Sequence, residues 1–229
     1  MMFRDRIDAA NQLVEELRPR LPKGPLILAI PRGGVPMGSV IARALGGELD
    51  VVLVRKVPAP GNTEYAIGAV NEDGEVFTSR PNIARFGDHY LQHAAREQVD
   101  LLCRRRERYT PARPPVDPAG RVVVVVDDGS ATGATIEAAL EMVRQRQPLR
   151  VVAALGVAPP DVVRRLQKLA DEVHCLVVTS DFGSVGQFYA NFDQVSDEEV
   201  VALLRASMGA RAGDVDGGAG PLSPDDSRD

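Results

Sequence analysis

A doubly wound α/β fold, a mainly parallel sheet flanked by helices, is what this sequence predicts, on three observations. Short runs such as "GPLILAI" and "RVVVVV" are apolar at every position, the composition of strands covered on both faces. Segments of ten or more residues with helical spacing separate them. Several runs end directly on charged or small residues, which suits a fold whose ligands collect beyond the carboxyl ends of parallel strands.

The elements follow in order. Phe3, Ile7, Ala10, Val14, Leu17 and Leu21 recur at spacings of three and four, so residues 3–21 predict a helix with one apolar face. "GPLILAI" is a strand, "IPRGG" a turn, residues 35–45 a helix and "DVVLVRK" a second strand. Residues 57–78, with Pro-Ala-Pro-Gly-Asn, a short apolar run and Asp-Gly, predict a mobile loop leading into a hairpin. "RVVVVV" is the next strand, 133–146 a helix, "RVVAALGV" a strand, 160–170 a helix and "EVHCLVV" a strand. A loop over 180–195 then precedes a helix announced by the capping box Ser196-x-x-Glu199. No internal repeat is visible.

With 229 residues, 44% of them hydrophobic, the chain suits one domain over residues 1–208 with an appendage. Residues 209–229 hold five Asp against two Arg, with Gly, Pro and Ser and little to bury, which predicts a disordered acidic tail. That tail carries −3 of the net charge of −5, so the folded body has no global attraction for nucleic acid or an anionic membrane. "MMFRDRIDAANQL" has neither the basic start nor the apolar run of a signal peptide, and no stretch is long enough to span a bilayer, so a cytoplasmic location is expected. Cys103 and Cys175 form no CxxC pair, which argues against a disulfide scaffold or a structural zinc site.

The chemistry concentrates in "VVVVVDDGSATGAT". A doubly buried strand delivers Asp127 and Asp128 to the rim of the sheet; Gly129, Ser130, Ala131, Thr132, Gly133, Ala134 and Thr135 then open a helix. Small residues let the backbone approach a ligand, and successive N–H groups at a helix start, with the Thr132 and Thr135 hydroxyls, cradle a phosphate. Two carboxylates beside a phosphate repel it unless the ligand also brings hydroxyls or a divalent cation. A ribose 5-phosphate satisfies both, its diol on the aspartates and its phosphate in the cup. A Walker A loop is excluded by the missing Gly-Lys-Thr; no GxSxG occurs, and Gly33, Gly34 and Gly38 do not fit GxGxxG. A simple Asp-capped turn would account for one carboxylate and not for two.

D-D-x-x-A-T-G-x-T after a buried strand resembles the phosphoribosyl diphosphate signature of type I phosphoribosyltransferases. The resemblance implies a pyrophosphate loop at Arg32, Gly33 and Gly34 in "IPRGG", a basic pair at Arg55 and Lys56 in "VRK", and Mg²⁺ held mainly by the substrate with no direct protein ligand. It also implies a loop over residues 57–78 that closes on the reacting centre, where Glu64-Tyr65 is similar to the Glu-Tyr pair of adenine-type enzymes. Glu64 would handle a proton on the incoming base, with a solvated loop carboxylate as the alternative. Ala131 stands where enzymes of 6-oxopurines carry Asp, which makes such a base less favoured. "IPRGGVPMGSVIA" and "SVGQFYANF…SDEEV" look more like stand-alone or esterase-fused phosphoribosyltransferases of unassigned acceptor, over residues 3–206. In relatives the segment with Phe182, Phe188, Tyr189 and Phe192 forms a small C-terminal hood over the acceptor; Phe188 and Tyr189 would stack on a heterocycle, or merely anchor the hood.

Other signals are weaker. His89 and His93 share a helix face but lack the Glu of HExxH; His174 in a strand reads as a core or interface residue; "CRRRERY" is a solvated helix face, a phosphate patch, or a reach into the neighbouring site of a homodimer. Three functions compete: transfer of phosphoribose to a nitrogen nucleophile, regulatory binding of phosphoribosyl diphosphate without catalysis, and an Asp–Mg²⁺ hydrolase. The absence of a DNA-binding segment or basic surface favours catalysis.

Overall fold

The computed structural model describes residues 2–78 and 80–212, with the backbone alone at 62–66, 80–81 and 209–212. In chain order the first half comprises α1 (Arg6–Leu17), β1 (Leu26–Ala29), α2 (Gly34–Leu45), β2 (Glu48–Val51), β3 (Val54–Ala59), β4 (Asn62–Asn71), β5 (Val76–Thr78), α3 (Arg80–Phe86) and α4 (Asp88–Tyr109). The second comprises β6 (Val122–Asp127), α5 (Ala134–Gln145), β7 (Arg150–Ala158), α6 (Pro160–Leu166), β8 (Glu172–Val178), a 3₁₀ turn at Val185–Phe188 and α7 (Asp197–Ala212).

Five strands form a sheet in the order β2-β1-β6-β7-β8, every pair parallel. Alternate residues point to opposite faces. Val124 and Val126 join a core with Ala9, Ala10, Leu13 and Val14 of α1, Met37 and Ile41 of α2, and Val200 and Leu204 of α7. Val123 and Val125 join the other, with Ile136, Leu140 and Val143 of α5 and Val162 and Leu166 of α6. Each valine so buried contributes about 1.5–3 kcal/mol, which is why this strand is valine throughout. Because both its faces are apolar, hydrophobic alternation cannot set its register. Charged ends can: Arg121 bonds Glu48 at 2.6 Å at one end, and the aspartate pair caps the other.

The chain lays down β1, moves outward to β2, and returns on the other side of β1 as β6. Strand order reverses between β1 and β6, the point at which folds of this class form a ligand crevice beyond the strands' carboxyl ends, and "PRGG" and "DDGSATG" lie there.

Three expectations need correction. "DVVLVRK" is not one strand: β2 ends at Val51, and β3 begins at Val54 in a separate antiparallel sheet of order β3-β4-β5. The expected loop after Lys56 is instead a hairpin turning at Pro60-Gly61, with Gly61 at φ 71°. Proline is tolerated there because β3 is an edge strand, and the ladder changes register on either side of Pro58, which has no N–H to give. The first helix starts only at Arg6, where the Asp5 carboxylate caps the Asp8 amide at 2.8 Å, leaving Phe3 in an extended segment. Its buried face is Ala9, Ala10, Leu13, Val14 and Leu17, and Ile7 is exposed.

The serine half of the expected capping box is present, Ser196 Oγ accepting from the Glu199 amide at 3.1 Å. α7 runs to Ala212, four residues into the stretch expected to be disordered; 213–229, the rest of that expected tail, lie outside the described residues. Among the described residues no helix is long and apolar enough to cross a membrane.

Candidate functional site

β6 delivers Asp127 and Asp128 to the rim as expected from its apolar run, and the structure then treats them differently. Asp127, partly open to solvent, accepts from the Asp128 amide through Oδ1 at 3.0 Å. Asp128 is buried, and its Oδ2 accepts from Nε of Arg6 at 2.8 Å. Its backbone carbonyl accepts the Tyr189 hydroxyl at 2.6 Å. Each carboxylate is thus oriented through one oxygen and keeps acceptor capacity on the other. Burial, and then the charge of Asp128, hold the Asp127 carboxyl well above the usual carboxylate range. Burial also raises Asp128, against the pull of the Arg6 guanidinium.

Across the crevice, "IPRGG" approaches the pair so closely that only glycine fits. A Cβ on Gly33 would lie 2.0 Å from Asp128 Oδ2, and one on Gly34 2.5 Å from the Val126 carbonyl oxygen. Gly33 sits at φ −62°, ψ −33°, so space and not backbone conformation demands glycine. The Pro31–Arg32 peptide is cis, and Arg32 is half-buried; its carbonyl accepts from the Val35 amide at 3.1 Å, while its guanidinium has no hydrogen-bond or ion-pair partner among the described residues.

The cup follows Asp128. Ala131 and Thr132 are exposed, Ala134 and Thr135 half-buried, and Gly129 and Ser130 buried, at the start of α5. Gly133 has φ +82°, which brings its amide onto Ser130 Oγ at 3.0 Å; the serine hydroxyl therefore shapes the loop from within. Thr132 is reached from both sides, by Lys56 Nζ at 3.5 Å from its hydroxyl and by Nη2 of Arg165 at 2.6 Å from its carbonyl. Arg165 in turn is held by Glu137 at 2.8 Å and Asp161 at 2.7 Å.

The expected basic pair is split. Adjacent strand residues face opposite sides, so Lys56 reaches the cup while Arg55 Nε donates to Gln98 of α4 at 2.8 Å. Glu64 and Tyr65 lie on β4, and their side chains are outside the described residues. The two aromatic candidates also differ. Tyr189 is buried between Phe3 and Phe192, at ring separations of 5.1 and 5.0 Å, and burial with the nearby Asp128 pushes its hydroxyl pKa up. Phe188 packs on Phe182 at 5.3 Å and lines a concavity of about 570 Å³ with Met2, Val177, Thr179, Asp181 and Gln187.

Arg6, Arg165 and Glu137 were not legible as site residues: each looks like an ordinary charge on a helix, and only the fold brings it to the rim. Of the weaker signals, His174 lies between Glu16 at 3.1 Å and Glu172 at 3.3 Å. In "CRRRERY", Arg106 is engaged by Glu72 and Asp50 and Arg108 by Asp197, which makes that segment a structural brace. No group of three or more His, Cys, Asp or Glu side chains placed to hold a metal occurs among the described residues. A further cavity of about 650 Å³ between β2, α4 and α5 contains none of the expected site residues.

Comparisons with known proteins bear on this rim. A family model described as a phosphoribosyl transferase domain matches residues 3–193. A Mycobacterium tuberculosis (strain H37Rv) protein named "putative phosphoribosyl transferase" is 42% identical over 226 residues, covering 96% of this chain and 51% of its own length. The chain therefore spans about half the length of the curated relatives it matches. The crystal structure of TT1426 from Thermus thermophilus is 50% identical and superposes with a TM-score of 0.83 over 90% of this chain and 99% of that one. A uracil phosphoribosyltransferase of Aquifex aeolicus (strain VF5) is 34% identical over 62 residues, 27% of this chain and 30% of its own length. A match from Phe3 to Asp193 takes in the crevice, the cup and the hood alike, and on that extent the chain belongs to the phosphoribosyl transferase family.

Proposed function

We propose that this chain transfers the ribose 5-phosphate unit of phosphoribosyl diphosphate to a nitrogen nucleophile, a nucleobase, and releases pyrophosphate. The observation that carries the reading is the shared rim: two oriented carboxylates and the amide-lined start of α5 stand side by side, across from a glycine backbone in contact with one of them. Asp127 and Asp128 accept the ribose hydroxyls through the oxygens not used for their own orientation. Residues 131–135 hold the 5-phosphate by backbone N–H groups and the Thr132 and Thr135 hydroxyls. Arg32 and Lys56 face the diphosphate with Gly33 and Gly34; Arg55, on the far side of β3, holds the hairpin to α4 instead. Glu64 and Tyr65, on the hairpin strand β4, are assigned to the acceptor, with Glu64 handling the proton of its attacking nitrogen. Phe188 offers the ring that faces a concavity, while Tyr189 anchors the hood.

Mg²⁺ fits this donor set. It would be held mainly by the substrate, keeping most of its waters and binding the diphosphate oxygens, while the free oxygens of Asp127 and Asp128 are left to the ribose hydroxyls. When bound, it neutralises charge accumulating on the departing pyrophosphate. Closing the crevice excludes water, which would otherwise capture the cationic ribosyl centre.

The test is pyrophosphate release from phosphoribosyl diphosphate and Mg²⁺ over a panel of purine and pyrimidine bases. Base-dependent pyrophosphate is expected. Tight binding with no product from any base would leave a regulatory binder, and inorganic phosphate instead of pyrophosphate would indicate a hydrolase.

A further inference from the structure

Arg6 comes from the first turn of α1, yet it is the cation on Asp128, 122 residues away in the chain. Its guanidinium makes three contacts at once. Nε donates to Asp128 Oδ2 at 2.8 Å, Nη1 donates to the Asp193 carbonyl at 2.7 Å, and Cζ lies 3.8 Å from the centre of the Phe192 ring. Both members of the ion pair are only 12% exposed, so solvent screens it little. The surrounding backbone follows the same path. The Phe3 amide donates to the Phe188 carbonyl at 2.8 Å, the Ala190 amide to the Phe3 carbonyl at 2.7 Å, and the Asn191 amide to the Arg4 carbonyl at 2.8 Å. Tyr189 completes the connection from the hood side through the Asp128 carbonyl.

The N-terminal segment, the hood and one ribose-facing carboxylate are therefore a single bonded unit. We propose that Arg6 is a positioning residue of the sugar site: it aims Asp128 at the ribose and latches residues 188–193 to that carboxylate, so that sugar occupancy and hood ordering are one event. The inference rests on the reading of the crevice as a phosphoribosyl diphosphate site. A planar guanidinium suits the task because it bonds in two directions in its plane while its face lies on an aromatic ring. Lysine keeps the charge but cannot do all three.

The experiment measures phosphoribosyl diphosphate binding with Mg²⁺ by calorimetry, and amide hydrogen exchange across residues 188–193, on the full chain. The proteins are the wild type, Arg6→Met, Arg6→Lys, Asp128→Asn and the double variant Arg6→Met/Asp128→Asn; Arg6→Gln replaces Arg6→Met if the latter does not fold. Wild-type protein is expected to bind and to gain exchange protection in the hood. Arg6→Met weakens binding at least tenfold and abolishes the ligand-induced protection. Arg6→Lys recovers most of the affinity but not the protection. In the Asp128→Asn background, Arg6→Met costs less than twofold further, because its route to the sugar is already gone. Arg6→Met binding as wild type does, or fully additive losses in the double variant, would overturn the proposal. No binding by the wild type would instead overturn the sugar-site reading beneath it.

Discussion

Gly33→Ala tests the rim at its tightest point. Its backbone is helical, φ −62° and ψ −33°, so alanine brings no conformational strain. The added methyl would instead lie 2.0 Å from Asp128 Oδ2 and 2.6 Å from its Cγ, about 1.4 Å short of ordinary contact. Asp128 cannot retreat freely: Oδ2 is on Arg6 at 2.8 Å, and Arg6 is fixed by Phe192 and the Asp193 carbonyl. Moving the carboxylate gives up a charge-assisted hydrogen bond worth about 1.5–3 kcal/mol. The ribose loses a contact of the same kind, so affinity for phosphoribosyl diphosphate should fall roughly 10- to 100-fold, at about 1.4 kcal/mol per tenfold. Calorimetry reads the affinity and thermal unfolding reads the stability. Adding Asp128→Ala removes the obstacle, so the stability lost through Gly33→Ala should largely disappear in that background. Binding within twofold of wild type, or a stability loss undiminished once Asp128→Ala is also present, would refute the claim that glycine is required here to accommodate the carboxylate.

Asp127→Asn should raise the melting temperature at pH 7 while weakening sugar binding. The Asp127 carboxyl is raised above its ordinary 3.8, so its cost to folding is absent below that pH and grows as pH rises toward the folded value; the gain should therefore shrink in melts at progressively lower pH. Glu48→Gln should behave oppositely. Burial would raise that carboxyl, but Arg113 and Arg121, at 2.8 and 2.6 Å, hold it down to about 2, so its stabilising effect is complete above 4.5 and lost as pH falls toward 2. The variant should melt lower than wild type at pH 7, with the two converging in acid. Tyr189→Phe removes the hydroxyl from a buried carbonyl, at a cost of about 1–2 kcal/mol, and should lower the melting temperature by roughly 2–8 °C with wild-type secondary structure in circular dichroism.

What could be read from the sequence was whatever is local. The apolar runs of β1, β6 and β7 announce burial on both faces regardless of neighbours, whereas the equally apolar β8 lies at the sheet edge and is mostly half-buried; a carboxylate pair followed by seven small or hydroxylated residues is a contiguous signature. The division of "DVVLVRK" between two sheets was not local: Val51 and Val54 are the same residue type, and only the presence of β4 as a partner decides that the second belongs elsewhere. Proline suggested a loop at residues 58–60 because its cost depends on whether the strand lies at an edge, which is a property of the assembled sheet. The separation of Arg55 from Lys56 did have a local signal, since neighbours on a strand cannot share a face. Arg6 had none. An arginine in the first turn of an amphipathic helix, with Asp5 and Asp8 beside it, reads as a solvated charge, and nothing local points to a partner 122 residues away.

The asymmetry between the aspartates explains why that distant arginine matters. Two adjacent carboxylates at the rim repel each other, so an arrangement that left them equivalent would favour protonation of the pair over presentation of two anions. Here Arg6 and the Gly129 amide support Asp128, while Asp127 receives the Asp128 amide and has no cation bonded to it among the described residues. On the proposed reading, Asp128 would serve as a fixed acceptor, and Asp127 as one whose unfavourable charge is relieved when hydroxyl donors arrive. A diol bound there would recover as affinity part of what the adjacent charges cost the empty site.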